Sequence, residues 1–323
     1  MSLRDERCSS HDEVELLCPT VFHERWYLSA ATSGQYEEVT ISQGGKLVGR
    51  FPYLRQELSF GRTMCGIPQL THFLGPAFDE GEGAATTRSL KRDQIIRSLL
   101  RLMPQASGFD HKMHAGIKDT VIFQEQGYST SVQFTYELQP ISEKDLWRNM
   151  RDKTRNAVRA AAKHLRLVED LNADEFCDFY NDNVTREGLT LSYDRATLLN
   201  VCDESLTRRR GRILAARHHD GRLAAAIVYI WDARASYYLL TTRTREAGNG
   251  AVSLLIWEAI KDSTKRGLIF DFDGVATFGS RLFFVGFGGA VVPRYIVRRY
   301  SAMHRVIDKA LSKVKMRDSN RYL

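Results

Sequence analysis

Apolar and polar residues alternate with a period of two in both halves of the chain, which predicts β-strands there. Residues 36–53 alternate on either side of Gly44 and Gly45, so we expect a hairpin with its turn at these glycines. Residues 211–243 hold three more strand-like runs, with a turn at Asp220-Gly221. Residues 268–274, "LIFDFDG", form one further predicted strand.

A period of 3.6 in the apolar positions predicts helices between these strands. Ser142 is a candidate cap for one long helix whose apolar stripe runs as far as Leu165. Asn172 and Glu175 can form a reciprocal cap at the start of the next helix. Further predicted helices cover residues 93–103, 198–206 and 251–266.

The two halves of the chain echo each other. Residues 44–53 and 220–229 share a glycine, a basic residue, a leucine and a tyrosine at equal spacing. In each half a hairpin leads to a helix and then to a strand that carries an aspartate. This pattern favours a duplicated domain, one copy of which can have lost its catalytic activity. Pro140 ends the strand material of the first half, so the predicted domains are residues 1–140 and 141–323.

The segment "REAGNGAVSLLIW", residues 245–257, joins a predicted strand to a predicted helix. Its Arg-x-x-Gly-x-Gly pattern places Arg245 ahead of Gly248 and Gly250. Backbone N–H groups at the helix start, including those of Asn249 and Ala251, suit a pyrophosphate, and the arginine adds a fixed positive charge. A tight turn that merely uses glycine explains the same spacing equally well.

Strand, Arg-x-x-Gly-x-Gly, amphipathic helix and strand together resemble the acyl-CoA-binding core of the GNAT acyltransferase superfamily. Three segments, "LWRNMRDKTRNAVRAAAKHLRLV", "GLIFDFDGV" and "RLFFVGFGG", are similar to one branch of it, the Fem-type peptidoglycan aminoacyltransferases and their BioF2-like acetyltransferase relatives. The resemblance implies an α+β fold of two tandem GNAT-like domains, each a mixed, mostly antiparallel sheet flanked by helices. It also implies an acyl-CoA donor, in the first place acetyl-CoA. No metal site is expected, because His218 and His219 have no third ligand nearby in the sequence.

One signature departs from the Fem pattern. The family's Phe-Lys-x-Gly-Phe-Gly motif has a lysine associated with the aminoacyl-tRNA donor, and Phe284 stands at that position here. Arg281, three residues earlier, is a candidate substitute. Because the lysine is missing and the glycine loop is complete, the expected reaction is transfer from acyl-CoA to an amine, or a hydroxyl, of a cell-envelope or polysaccharide precursor. Aminoacyl-tRNA-dependent transfer to a peptidoglycan precursor is the alternative.

Basic residues recur every four positions along the helix predicted after Ser142. Arg155, Arg159 and Lys163 lie opposite the apolar stripe, where they can hold the phosphates of an anionic acceptor or track a tRNA. A solvated basic helix face explains the same row without any ligand.

Two carboxylates lie near the end of the strand at residues 268–274. Asp271 and Asp273 alternate with phenylalanines, so both are expected on one face of the strand. Acyl transfer needs a base for the proton of the attacking amine, and Asp273 is the first candidate, with Asp271 the second. The structural alternative makes Asp273-Gly274 a turn and Asp271 an internal hydrogen-bond partner.

Composition narrows the class of partner. The 46 Lys and Arg residues against 39 Asp and Glu give a net charge of +7, which favours an anionic partner. Five scattered cysteines predict reduced thiols, and no signal-peptide pattern or membrane-spanning run is present, so we expect a cytoplasmic protein. The amphipathic segment 301–323 is a candidate for peripheral contact with an anionic membrane, or a helix packed on its own domain. A non-catalytic nucleic-acid or membrane-surface module is the hypothesis of another class.

Overall fold

The computed structural model describes residues 17–274 and 278–308 of the chain, and of Phe278 it describes the backbone only. Residues 309–323, which make up most of the candidate membrane-contact helix, lie outside the described residues. No helix within the described ranges is long and apolar enough to cross a membrane.

The first half of the chain contributes helices α1 (Arg25–Thr32), α2 (Ala85–Leu102) and α3 (Val121–Glu125), with 3₁₀ turns at Val21–His23 and Ser59–Gly61. Its strands are β1 (Glu37–Gln43), β2 (Lys46–Leu58), β3 (Arg62–Gly66), β4 (Ala77–Phe78), β5 (Gly108–Lys112) and β6 (Ser129–Leu138). The predicted hairpin around Gly44 and Gly45 is confirmed, because β1 and β2 pair antiparallel on either side of that turn.

The second half contributes helices α4 (Glu143–Asn149), α5 (Asp152–His164), α6 (Ala173–Arg186), α7 (Arg195–Thr207), α8 (Gly248–Lys265) and α9 (Phe278–Val285). Its strands are β7 (Leu165–Val168), β8 (Gly211–His218), β9 (Leu223–Trp231), β10 (Ala235–Arg243), β11 (Ile269–Gly274) and β12 (Ala290–Tyr300). The cap at Ser142 and the reciprocal cap of Asn172 with Glu175 are both confirmed.

The single long helix predicted after Ser142 is wrong. The chain is helical to Asn149, breaks, resumes at Asp152, and passes into strand β7 at Leu165. At the break Met150 has extended backbone angles, and the N–H of Arg151 donates to the carbonyl of a glycine after α9 at 2.9 Å. A partner distant in sequence therefore replaces the next turn of helix.

The glycines of the "RLFFVGFGG" segment make this approach possible. A Cβ at Gly286 would lie 2.3 Å from the Thr154 hydroxyl oxygen, and a Cβ at Gly288 would lie 2.6 Å from the Asn149 carbonyl oxygen. Any side chain at these positions would collide with α5 or with the end of α4. The glycine spacing of the signature is explained by packing of the chain against itself.

All strands of the described chain belong to one sheet, in the order β1-β2-β3-β5-β12-β6-β11-β10-β9-β8-β7, with β4 paired to β2. Strand β12 lies between β5 and β6, and β6 also pairs with β11. Each half therefore places its last strand against the other half, and the two units share a continuous sheet.

A repeated unit is visible in the strand pairing. Strands β3 and β5 are parallel with α2 between them in the sequence, as β10 and β11 are parallel with α8 between them. The predicted boundary at residue 140 falls in the short loop between β6 and α4.

The buried apolar clusters tie the two halves together. Phe22 and Phe73 of the first half pack on Tyr237 of β10, with ring centroids 5.0 Å and 5.5 Å away. They belong to a cluster that α1, α6 and α7 cover, while α8 covers the opposite face of β8–β10. Loops from the first half thus reach the sheet of the second.

Candidate active site

The candidate site lies where β10 and β11 separate. The two strands pair in parallel over three residues, from Ala235 opposite Ile269 to Tyr237 opposite Asp271. Beyond Tyr237, β10 continues to Arg243 paired with β9, while β11 pairs with β6 on its other side. Within the described ranges, no strand pairs with the inner edge of β10 beyond this point, so a gap opens in the sheet.

A β-bulge lies in β10 at the same level. The register between β10 and β9 shifts between Tyr238 and Leu240, which makes Leu239 the extra residue. A bulge bends the strand and re-aims its backbone N–H and C=O groups. The edge of β10 therefore offers backbone hydrogen-bonding groups to a ligand in the gap.

A cleft of about 850 Å³ extends from this gap to the start of α8. Strand β10 contributes Tyr238, Thr241 and Thr242 to it, α6 forms one wall, and α9 forms another. Its volume lies within the range of small-molecule and cofactor sites.

The Arg-x-x-Gly-x-Gly loop closes one end of the cleft, which Arg245, Gly248 and Asn249 line. Helix α8 begins at Gly248, three residues earlier than predicted, so the glycines belong to its first turn. The first N–H groups of a helix have no partner within the helix. Gly248 has a φ of +59°, which a glycine adopts without strain.

Gly250 and Ala251 serve the packing of α8. A Cβ at Gly250 would lie 3.6 Å from the Ala157 carbonyl oxygen and 3.7 Å from the Ala161 Cβ, both on α5. Ala251 is fully buried. Close contact between α5 and α8 accounts for the second glycine, so any donor contact of these two residues is restricted to their backbone.

Asp271 belongs to a buried ion cluster. Its carboxylate accepts hydrogen bonds from the Arg294 guanidinium of β12 and, at 3.0 Å, from the N–H of Asp273. Arg294 also donates to Glu137 of β6 at 3.2 Å. Asp271, Glu137 and Arg294 are all almost completely buried. Because the Asp271 carboxylate is buried and already bound to Arg294, this geometry favours the structural alternative for Asp271 over a role as base.

Asp273 leaves the regular alternation of the strand. Its φ is +65°, and the register of β11 with β6 shifts between Asp271 and Gly274. As a result the two aspartates differ in environment, and the Asp273 side chain keeps 34% of its exposure. Continuing the β10–β11 register places Asp273 level with the bulge at Leu239.

Sequence reasoning missed His72, which lies between β3 and β4 in the first half. Its Nε2 is 3.6 Å from a carboxylate oxygen of Asp273. The imidazole is buried, with ring centroids of Phe22 at 5.1 Å and Tyr237 at 6.3 Å. Burial lowers the His72 pKa, against the opposing effect of the nearby carboxylates. No spacing in the sequence links this histidine to Asp273.

The basic row on α5 lies outside the cleft. Arg155 donates to the carbonyl oxygens of Trp147 and Arg148 at the end of α4, at 3.3 Å and 3.0 Å. Its predicted substrate contact is not supported, because the guanidinium is already bound there. Arg159 lies over the Trp147 ring, 5.2 Å from its centroid, and Lys163 is exposed.

Helix α9 carries the residue that replaces the lysine of the Fem signature, and it places this residue in the cleft. Phe284 is a lining residue, with ring centroids 4.9 Å from Phe272 and 6.3 Å from Tyr238. Arg281 instead lines a separate groove of about 570 Å³ beside β6 and β12. The structure therefore does not support Arg281 as a replacement for the lysine.

Comparisons with known proteins agree with this geometry. Residues 145–278 match the family model described as an acetyltransferase (GNAT) domain. A comparison with curated protein sequences gives no match.

Similar folds are found among solved structures. FemX aligns over 89% of this chain and 95% of its own, with a TM-score of 0.63 and 12% identity. The C-terminal domain of a putative lysylphosphatidylglycerol synthetase from Agrobacterium fabrum aligns over 94% and 96%, with a TM-score of 0.58 and 11% identity. A tandem GNAT protein from the clavulanic acid biosynthesis pathway aligns over 91% and 95%, with a TM-score of 0.53 and 12% identity. Identities this low establish a shared fold.

The family match and the fold agree on one class: the protein is an acyltransferase with a GNAT domain at residues 145–278. The similarity to a tandem GNAT structure over most of the chain confirms the predicted α+β fold of two GNAT-like units.

Proposed function

We propose that the protein transfers an acyl group from acyl-CoA, in the first place acetyl-CoA, to an amine, or to a hydroxyl, of a cell-envelope or polysaccharide precursor. The observation that carries this proposal is the cleft itself, because it runs from the glycine loop to Tyr238, the first residue of β10 beyond its pairing with β11. Acyl-CoA has a pyrophosphate and a thioester at the two ends of an uncharged arm, which matches this layout.

In this proposal the donor pyrophosphate binds Arg245 and the free N–H groups of the first turn of α8. The arm passes Tyr238 and Phe284, which form an apolar wall. A phenylalanine in place of the Fem lysine removes a positive charge from this wall. That change favours an uncharged arm over the polyanionic end of a tRNA.

The reaction is a direct transfer. The acceptor nitrogen attacks the thioester carbonyl carbon, a C–N bond forms, the C–S bond breaks, and the CoA thiolate leaves and takes a proton from solvent. The Asp273 carboxylate accepts the proton that the nitrogen loses. Backbone N–H groups at the bulge of β10 are placed to polarise the thioester carbonyl. Asp271 holds the end of β11 through its ion cluster.

Support for an envelope acceptor comes from the shared fold with FemX and with the lysylphosphatidylglycerol synthetase domain, whose name specifies an aminoacylated lipid. The net charge of +7 favours an anionic acceptor. Arg159 and Lys163 on α5, and Arg281 in the groove beside β6 and β12, are the proposed contacts with its anionic groups.

We assign residues 1–140 to a copy without donor binding. In the first half, the parallel pairing of β3 and β5 does not open into a gap, because Leu74 bridges Met113 beyond it. The Leu74 N–H donates to the Lys112 carbonyl at 2.8 Å, and its carbonyl accepts from His114 at 2.9 Å. The chain itself occupies the position that the cleft has in the second half.

Calorimetric titration with acetyl-CoA and with free CoA tests the proposal. Wild-type protein should bind both, and Arg245→Ala should bind roughly tenfold more weakly, since it loses a charge-assisted contact with phosphate. Arg101→Ala, an exposed arginine of α2 outside the cleft, is the matched control and should bind as wild type does. A folded wild-type protein that binds neither compound would overturn the acyl-CoA donor. Aminoacyl-tRNA would then become the donor to test, and its binding should weaken steeply as the salt concentration rises.

A further inference from the structure

His72 is held rigidly at the junction of the two halves. It belongs to the segment between β3 and β4, yet its ring lies among Phe22, Phe73 and Tyr237, the last of which is on β10. The imidazole is 6% exposed, so it has no room to change its orientation without repacking these rings.

One nitrogen of this imidazole faces the proposed base and the other faces none of the described polar groups. Nε2 lies 3.6 Å from the Asp273 carboxylate, just beyond hydrogen-bond distance, while Nδ1 is buried without a hydrogen-bond partner among the described residues. A buried N–H donor without a partner costs more free energy than a buried imidazole lone pair without one. Only Nε2 has a carboxylate nearby that can accept its hydrogen. The neutral ring is therefore expected to carry its hydrogen on Nε2, directed at Asp273.

Backbone strain marks both sides of this contact. Asp273 has a φ of +65°, and Leu70, two residues before His72, has a φ of +57°. The Tyr27 hydroxyl donates to the Leu70 carbonyl at 2.5 Å and so fixes the strained turn. A bulky residue such as leucine rarely adopts this conformation, and strained residues that the surroundings hold in place concentrate at functional sites.

We propose that His72, supplied by the non-catalytic first half, is a positioning residue of the transfer site: when the partly exposed Asp273 side chain turns slightly toward it, Nε2–H donates to one carboxylate oxygen and leaves the other for the proton of the acceptor. The inference rests on the proposed function, because Asp273 acts there as the base. It gives the first half a role in the reaction without a donor site of its own.

The charged groups around His72 are consistent with a neutral donor. Burial is the largest influence and lowers its pKa. The carboxylates of Asp273 and Asp271 on β11 act in the opposite direction, while Arg294 of β12 and Lys112 of β5 lower the pKa further. At neutral pH the ring is thus uncharged and can donate from Nε2 to an anionic Asp273.

Imidazole ¹⁵N NMR tests the contact without any acceptor. The His72 signal is assigned by its loss in His72→Phe, a variant that keeps a ring among its aromatic neighbours. Wild-type protein should show the Nε2-protonated neutral form, and Asp273→Asn should move the titration midpoint of His72 to lower pH because a carboxylate that raises it is gone. Asparagine tolerates positive φ, so this variant should fold. An Nδ1-protonated ring, or a midpoint that Asp273→Asn leaves unchanged, would overturn the proposal.

Turnover of acetyl-CoA, with hydroxylamine as the acceptor and thiol release as the signal, tests the role in the reaction. His72→Phe should lower kcat roughly tenfold to a hundredfold with an unchanged KM for acetyl-CoA. His72→Gln, whose amide N–H can take the place of Nε2–H, should recover part of the rate. A His72→Phe variant with wild-type kcat contradicts the role, whereas failure of wild-type protein to bind acetyl-CoA contradicts the proposed function instead.

Discussion

Replacing His111 with phenylalanine should change how the stability of the protein depends on pH. His111 is completely buried in β5, and its ring stacks on Phe109 with centroids 4.3 Å apart. Neither ring nitrogen has a hydrogen-bond partner among the described residues. Burial lowers the pKa of His111 from 6.5 to about 3. Below pH 6.5 the unfolded chain therefore binds a proton that the folded protein does not bind until about pH 3.

The sign and size of the effect follow from this difference. The contribution of His111 to stability is complete above pH 6.5 and is lost as the pH falls through the range between the two pKa values. At pH 5 the loss amounts to about 2 kcal/mol, since the unfolded imidazole is almost fully protonated and the folded one is not. The result is the same for any folded pKa below about 4.

Urea unfolding of wild-type protein and His111→Phe at pH 7.5 and pH 5.0 measures this effect. The free energy of unfolding of the variant should fall by about 2 kcal/mol less between the two conditions than that of wild type. The other buried histidines are present in both proteins and cancel in the comparison. Equal losses in the two proteins would refute the assignment of His111 as a buried neutral group.

Three further substitutions test the packing around the cleft by denaturant unfolding and acetyl-CoA titration. Gly288→Ala should lower the free energy of unfolding far more than Gly221→Ala, for which a loss of about 1 kcal/mol is expected. Both glycines have positive φ, but only at Gly288 would a Cβ meet a backbone oxygen. Equal losses of stability in the two variants would contradict the packing explanation. Arg155→Ala should lower the free energy of unfolding by about 1 to 2 kcal/mol and leave acetyl-CoA affinity unchanged, whereas weaker binding would restore its predicted ligand role. Gly250→Ala should fold and bind as wild type does, because its Cβ meets ordinary contacts, and lost binding would show that this glycine touches the donor.

Features that depend on neighbours along the chain were predictable from the sequence. The hairpin at Gly44 and Gly45, the cap at Ser142 and the reciprocal cap at Asn172 formed as expected, because turn and capping preferences act within a few residues. The duplicated α+β architecture and the glycine segment at the start of α8 were also visible, since each has a local pattern.

Features that depend on distant partners were not predictable in the same way. The helix predicted to reach Leu165 breaks at Met150 because the glycine turn after α9 enters there. Gly250 matched a phosphate loop by spacing, yet its contact is α5. Arg155 matched a ligand-binding row, yet the end of α4 binds it.

The sequence by itself determined the class of this protein: a tandem GNAT-like acyltransferase with a candidate donor loop at residues 245–251. The tertiary structure decided which candidates share a site. Exchange of β6 and β12 between the halves enclosed Asp271 in an ion cluster, and packing of the β3–β4 segment on β10 brought His72 to Asp273. These contacts join residues far apart in the chain, and they arise from burial and strand pairing, which no local pattern of residues records.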